Sequence, residues 1–406
     1  MNIKTKNKFI FLIYALLLGL IIGSIVWGFM KLASLGTELL WIKLPNIMHI
    51  PLYTIIICTL GGIIIGIWKK YTGDYPEDMK KVIETNKTDG RYPYEKTGIM
   101  FISSLLPLIF GASVGPESGL IGIIFGLCSW INDKFKHLFK EMTELTKIGV
   151  SATLGTIFNN PMFGFTLPLE SDDDNFAIPK ASKVILYFVV IFGALTSAMI
   201  LKNIFGGSSG LANFGDIVLN TKEWLLLIPL CFVGIFYGII YTIFDEITNL
   251  FNKFLGKHTV IKCTIGGIIL GISGTTLPLV MFSGEEQMGE IIDNYEQLGI
   301  LILLLTGFIK LFITNICNNL GLKGGHFFPC IFSGICIGYA NAIFFNINPV
   351  FSVCIVTTAL MAYLIKKPVA VVLLLMICFP VQAIPVMLPA AIIGSFINQL
   401  KPFKKS

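Results

Sequence analysis

The chain has 406 residues, of which 54% are apolar and only 13% charged, where soluble domains average about 45–50% and about 25%. That balance, with a mean hydropathy of +0.80, excludes a soluble globular domain, a disordered chain and a disulfide scaffold, and leaves a polytopic membrane protein with a ceiling of roughly ten helical crossings at about 20 residues each. The net charge of +6 comes from lysines spread over loops and tails plus a lone arginine, Arg91, so it is no nucleic-acid footprint.

The first apolar run, Phe9–Met30, follows Lys4, Lys6 and Lys8 and has no cleavage pattern, so it reads as a retained first span rather than a signal peptide. Lys401, Lys404 and Lys405 follow the last run, and the positive-inside rule then places both ends in the cytoplasm and requires an even number of crossings. Between them lie apolar runs at Pro51–Trp68, Thr97–Asn132, Ile148–Leu169, Val184–Leu201, Trp224–Phe244, Cys263–Gly284, Leu298–Gly307 with Leu311–Leu322, Gly324–Ile365 and Pro368–Leu400. The runs at 97–132, 324–365 and 368–400 are too long for one crossing and contain Gly and Pro, which predicts broken or re-entrant helices. The mixed-charge stretch Lys69–Lys96 reads as a solvated cytoplasmic loop, and Asp172–Asp174 as another. Cysteines sit inside apolar runs without a CxxC or Cys/His cluster, so no metal site and no cofactor is expected.

The interrupted segments rhyme. Gly111-Ala112-Ser113-Val114-Gly115-Pro116 opens an apolar helical pattern and is followed by Asn159-Asn160-Pro161; Gly324-Gly325-His326-Phe327-Phe328-Pro329 opens another and is followed by Lys367-Pro368. Duplicated Gly/Pro-interrupted segments in a membrane chain point to a transporter or channel with its site at a repeat interface near the midplane. The expected organisation is a tail at 1–8, a first repeat at 9–205 containing the loop 69–96, a second repeat at 206–400 and a tail at 401–406.

Gly before Pro at a helix start permits close backbone approach, Pro suits the first helical position, and the free N–H groups at the positive end of the helix dipole attract anions. Two such ends around one cavity would hold a small anion weakly, as conduction requires. Arg91 lies in the polar loop, so no buried guanidinium is at hand for phosphate or carboxylate. Glu117 is the one charge within 97–132; it reads either as a functional intramembrane acid or as a carboxylate stabilising its own helix start. A membrane-embedded enzyme is not expected, because the apolar runs hold no HExxH motif and no paired aspartates.

From about Thr72 to about Leu400 the chain resembles the CLC family of chloride channels and proton–chloride exchangers. Gly325-His326-Phe327-Phe328-Pro329, with Lys310 and Thr314 upstream, looks like the family's GxFxP element, and Phe158-Asn159-Asn160-Pro161 with Glu170 like its FNxP…E segment. The resemblance implies an all-α protein with two inverted-topology repeats, a homodimer in the lipid bilayer with one pore per subunit, and chloride or another small anion as the transported partner.

The chain departs from the family where coupling would be made. In GREGP the Glu gates the outer anion site and carries protons; here Val114 stands in its place. Of the two acids that exchangers carry after FNxP, Glu170 matches the first and Ser171 falls on the second. The family's GSGIP element is reduced to Thr72-Gly73-Asp74-Tyr75-Pro76, with Gly73 at the anion-binding Ser and Thr72 as a substitute hydroxyl. The family's last segment, which carries a Tyr hydroxyl, and its nucleotide-binding tail are expected to have no counterpart. The anion is then expected to rest on the backbone N–H groups of Ser113, Val114 and Gly115, before Pro116, and on those of His326, Phe327 and Phe328 after Gly325. His326 reads as a pH-sensitive lining residue or as a bystander whose backbone alone is used. The leading expectation is a passive anion channel in a bacterial plasma membrane. The alternatives are an exchanger using Glu117 or Glu170 and a non-transporting scaffold.

Overall fold

The computed structural model describes residues 3–48, 50–77, 81–82, 84–85, 92–134, 142–164, 181–207, 211–217 and 221–399. Glu170, Ser171, Asp172–Asp174, Arg91 and the C-terminal lysines lie outside the described residues. The architecture is all-helical, and among the described residues there are no strands, only one isolated antiparallel bridge. The helices are α1 (Ile3–Glu38), α2 (Leu44–Met48), α3 (Tyr53–Thr72), α4 (Thr97–Ile109), α5 (Glu117–Lys134), α6 (Met142–Ile157) and α7 (Ala181–Phe205), followed by α8 (Thr221–Phe254), α9 (Thr259–Thr276), α10 (Gln287–Leu320), α11 (Phe327–Phe345), α12 (Pro349–Ile365), α13 (Pro368–Leu375) and α14 (Ile384–Gln399).

Seven stretches among the described residues are long and apolar enough to cross a bilayer: 12–47, 53–72, 185–205, 223–254, 259–276, 287–320 and 327–345. Each of the three long runs resolves into two helices. Run 97–132 breaks between α4 and α5 at 110–116, run 324–365 between α11 and α12 at 346–348, and run 368–400 between α13 and α14 at 376–383. Helix α10 is also kinked, at Gly299, whose φ of 71° no helical residue adopts. At the α12 start, Asn348 accepts a hydrogen bond from the Phe351 N–H and Pro349 follows at the first helical position.

The chain forms two compact units, neither of them continuous in sequence. The first comprises residues 1–39, 74–105 and 116–208, the second 40–73, 106–115 and 209–406. In the first, α1 lies on α7 through Gly19 and Gly23, where a Cβ would meet the Val190 and Ala194 carbonyls. In the second, α11 and α12 are buried along most of their length, as core helices rather than lipid-facing ones.

The second unit is organised about the α3–α9 pair. The two helices carry nearly the same decapeptide: Cys58–Ile67 reads CTLGGIIIGI and Cys263–Ile272 reads CTIGGIILGI, identical at eight of ten positions. They pack antiparallel and reciprocally. A Cβ on Gly62 would come within 2.3 Å of the Cys263 carbonyl oxygen and one on Gly267 within 2.3 Å of that of Cys58; Gly66 and Gly271 meet the Val260 and Ile55 Cα atoms, each at 2.7 Å. These are two GxxxG faces in close backbone contact, related by a local two-fold perpendicular to both helices.

The expected loop at 69–96 begins later than the charge pattern indicates. Lys69 and Lys70 complete α3; Lys69 is buried with its side chain against Gly321, while Val82 and Tyr92 are buried further on. The long lysine stem lets the helix continue through charged residues where a hydropathy reading ends it.

Candidate anion pathway

The second unit brings the two Gly-rich approaches together. Gly115 and Gly325 form a reciprocal antiparallel bridge, Gly115 N–H to the Gly325 carbonyl at 2.8 Å and Gly325 N–H to the Gly115 carbonyl at 2.7 Å. Each approach is anchored to its surroundings. The Gly111 carbonyl accepts from Phe282 N–H at 3.0 Å, and Gly324 N–H donates to Asn318 Oδ1 at 3.0 Å. Gly324 must be glycine because the side chain of Val114 lies on it: a Cβ there would stand 2.5 Å from Val114 Cγ2. Val114 is wholly buried, in one apolar cluster with Ala112, Cys58, Cys263, Met281, Ile313, Cys317 and Leu322.

This geometry corrects the expected set of free amides. Val114 N–H donates to the Ala112 carbonyl at 2.8 Å and Gly115 N–H is taken by Gly325. These two donors are satisfied within the fold, since a buried amide left open would cost the fold a hydrogen bond. The Ser113 side chain is a better candidate. Its Oγ lies 3.2 Å from Thr314 Oγ1, and Thr314 already donates its proton to the Lys310 carbonyl at 2.8 Å. Thr314 is therefore the acceptor and Ser113 the donor, through a hydroxyl free to turn.

On the other approach, α11 starts at Phe327 after His326, whose side chain does not cap the helix. Phe327, Phe328 and Pro329 are buried, and the His326 ring lies 5.9 Å from that of Tyr241 and 5.0 Å from that of Phe327. The first-turn N–H groups there sit at the positive end of the α11 dipole. Thr72 and Gly73 stand apart from this arrangement in role: they end α3, where Thr72 Oγ1 donates to the Trp68 carbonyl at 2.8 Å and Gly73 caps the helix with φ 104°. The Thr72 proton is thus spent inside its own helix. Pro116 and Glu117 open α5 in the first unit, with Glu117 buried in the first turn.

One buried charge was not assigned from sequence. Lys310, in the middle of α10, is fully buried, and its Nζ donates to the carbonyls of Leu279, Met281 and Phe282 at 3.1, 2.9 and 3.2 Å. The signal was present, because this lysine interrupts an otherwise uncharged stretch that separates Leu298–Gly307 from Leu311–Leu322.

A family model described as voltage gated chloride channel matches residues 61–399. The relative named "Putative ion-transport protein YfeO" in Escherichia coli O7:K1 is 23% identical over 344 residues, covering 82% of this chain and 79% of its own length, and its Shigella flexneri counterpart gives the same figures. A slow cyanobacterial Cl⁻/H⁺ antiporter superposes with a TM-score of 0.77 at 20% identity, over 96% of this chain and 94% of that one. A CLC-type fluoride/proton antiporter gives 0.75 at 16% identity, over 96% and 95%. At these identities the structural likeness is one of fold.

Proposed function

We propose that this chain, which belongs to the voltage-gated chloride channel family, is a passive conductor of chloride or a similar small anion without obligatory proton exchange. One observation carries the reading: Val114, at the position where the resemblance puts the gating carboxylate, is an unionisable side chain packed onto Gly324. A valine neither takes up a proton nor mimics a bound anion, so nothing at that position links the two fluxes.

In this reading the anion reaches the start of α11, where the helix dipole and the N–H groups of Phe327 and Phe328 attract it. Ser113 then turns its hydroxyl from Thr314 to the anion, exchanging one hydrogen bond for another at a net cost of about 1 kcal/mol or less. Val114 and the Gly115–Gly325 bridge form the apolar constriction, which gates by exclusion of water rather than by a charged side chain. Weak binding and an uncharged gate suit downhill flux. We further propose that the repeats span 9–205 and 206–400, that the protein is a homodimer in a bacterial plasma membrane, and that both termini are cytoplasmic.

A second reading, proton-coupled exchange, draws on Glu117, a buried acid three residues beyond Val114. Glu170 would serve as its inner partner. Purified protein in chloride-loaded liposomes separates the two. The passive reading expects chloride efflux that collapses the gradient without moving protons, and it fails if a chloride gradient drives protons uphill.

A further inference from the structure

Lys310 is a fully buried charged side chain, among the described residues, whose chemistry the proposed conduction does not use. Its Nζ is surrounded by three carbonyl oxygens at 2.9–3.2 Å and lies 4.5 Å from the centroid of the Phe332 ring. Three acceptors match the three N–H bonds of an ammonium; a neutral amine has two, and would turn its lone pair towards a carbonyl oxygen. The cradle is therefore built for the charged form. Among the described residues no carboxylate pairs with it, and the titratable side chains near it are the thiols Cys317 and Cys336. A buried cation held by dipoles and a ring face, with no counter-ion, is costly, and an intramembrane charge retained at such cost marks function.

Its place in the fold says which function. Through its head group Lys310 holds the turn whose Phe282 N–H bonds the Gly111 carbonyl, at one end of the Gly111–Gly115 approach. Through its own carbonyl it holds Thr314, and so the hydroxyl of Ser113, near the other end. We infer that Lys310 is a selectivity-determining residue of this pathway: its ammonium is the fixed positive charge whose mobile counter-ion is the transported anion. The inference rests on the anion-conducting reading, and it adds that selection comes from a buried charge as well as from helix-end dipoles.

The experiment measures chloride efflux and the chloride-to-potassium permeability ratio of wild type, Lys310→Met, Lys310→Gln and Lys310→Arg in liposomes, with micelle size and melting temperature as folding controls. Loss of one buried unit charge at an effective dielectric of about 20 is expected to lower anion occupancy on the order of tenfold. Both neutral variants are expected to lose about that factor in efflux and in permeability ratio, and Lys310→Arg to recover most of it. A merely structural lysine would leave the ratio unchanged in every folded variant, and that result overturns the inference. If neither neutral variant folds, Cys336→Asp decides, because it supplies a carboxylate beside the intact lysine: a lowered ratio supports the inference and an unchanged ratio overturns it. Failure of the wild type to pass chloride at all would instead overturn the conduction reading itself.

Discussion

The contact between Val114 and Gly324 makes a quantitative demand that can be tested without knowing the transported ion. Placing a methyl at residue 324 brings it to 2.5 Å from Val114 Cγ2, 2.7 Å from Val114 Cβ and 2.9 Å from the Gly115 carbonyl oxygen. The last is backbone held in the Gly325 bridge, so the strain falls on the valine, and Gly324→Ala is expected to cost about 1–3 kcal/mol by overpacking. Val114→Ala removes two methyl groups from a fully buried site, worth roughly 1.6 kcal/mol in transfer plus a cavity contribution. In the double variant the alanine methyl occupies space the valine has left, so the two losses are expected to fall short of their sum by about 1 kcal/mol. Reversible unfolding of the four proteins in mixed micelles measures that coupling. Chloride efflux from the same preparations gives a second reading, in which Val114→Ala speeds flux by thinning the constriction and Gly324→Ala slows it. Additivity within about 0.5 kcal/mol, or a neutral Gly324→Ala, would refute the packing and with it the gate assigned to Val114.

Two further predictions concern the gate's chemistry and the helix pair beneath it. Val114→Glu is expected to make flux pH-dependent: the new carboxylate, ionised above a reference value of about 4.3 that burial raises, competes with the anion, so flux falls as pH rises and recovers on acidification. Efflux measured from pH 4 to pH 8 checks the sign, and a flat profile would show that residue 114 lies off the pathway. Gly62→Val and Gly267→Val each force a side chain against a backbone oxygen at 2.3 Å, where no rotamer relieves the clash, and each is expected to cost about 3 kcal/mol or more. Size-exclusion profiles and melting temperatures should move equally for the two; tolerance of one with loss of the other would contradict the local two-fold.

The breaks in the helices were legible because they are written in residue chemistry: Gly111, Gly115, Pro116, Gly324, Gly325 and Pro329 cannot sit in a continuous span without penalty. That the two approaches belong together was also legible, as a rhyme. The fate of their amides was not. Whether Gly115 N–H is free or bonded depends on Gly325, 210 residues away, and a residue pattern carries no register for such a pairing. Thr72 misled for a related reason: a hydroxyl at a helix end finds the backbone carbonyl one turn back, at 2.8 Å, before it finds a ligand. The decapeptide shared by α3 and α9 lay in plain view and is a more direct sign of duplication than the Gly–Pro elements. It sits in uninterrupted helix, where attention to breaks does not fall.

The reciprocal bridge also explains why the proposed gate is one-sided. The Gly115–Gly325 bridge pairs the two approaches reciprocally, so Val114 on one corresponds to Gly324 on the other. Backbones brought this close leave room for only one of two equivalent side chains, and a Cβ at 2.5 Å from Val114 Cγ2 is that exclusion in numbers. Two approaches paired in this way must therefore break their own symmetry, keeping a side chain in one half and glycine in the other. The identity of that single side chain is then free to vary without disturbing the bridge, because the glycine opposite makes no demand beyond volume. A carboxylate and a valine fill comparable space and differ in charge. An exchange of one for the other at residue 114 therefore changes the charge at that position and leaves the surrounding backbone in place.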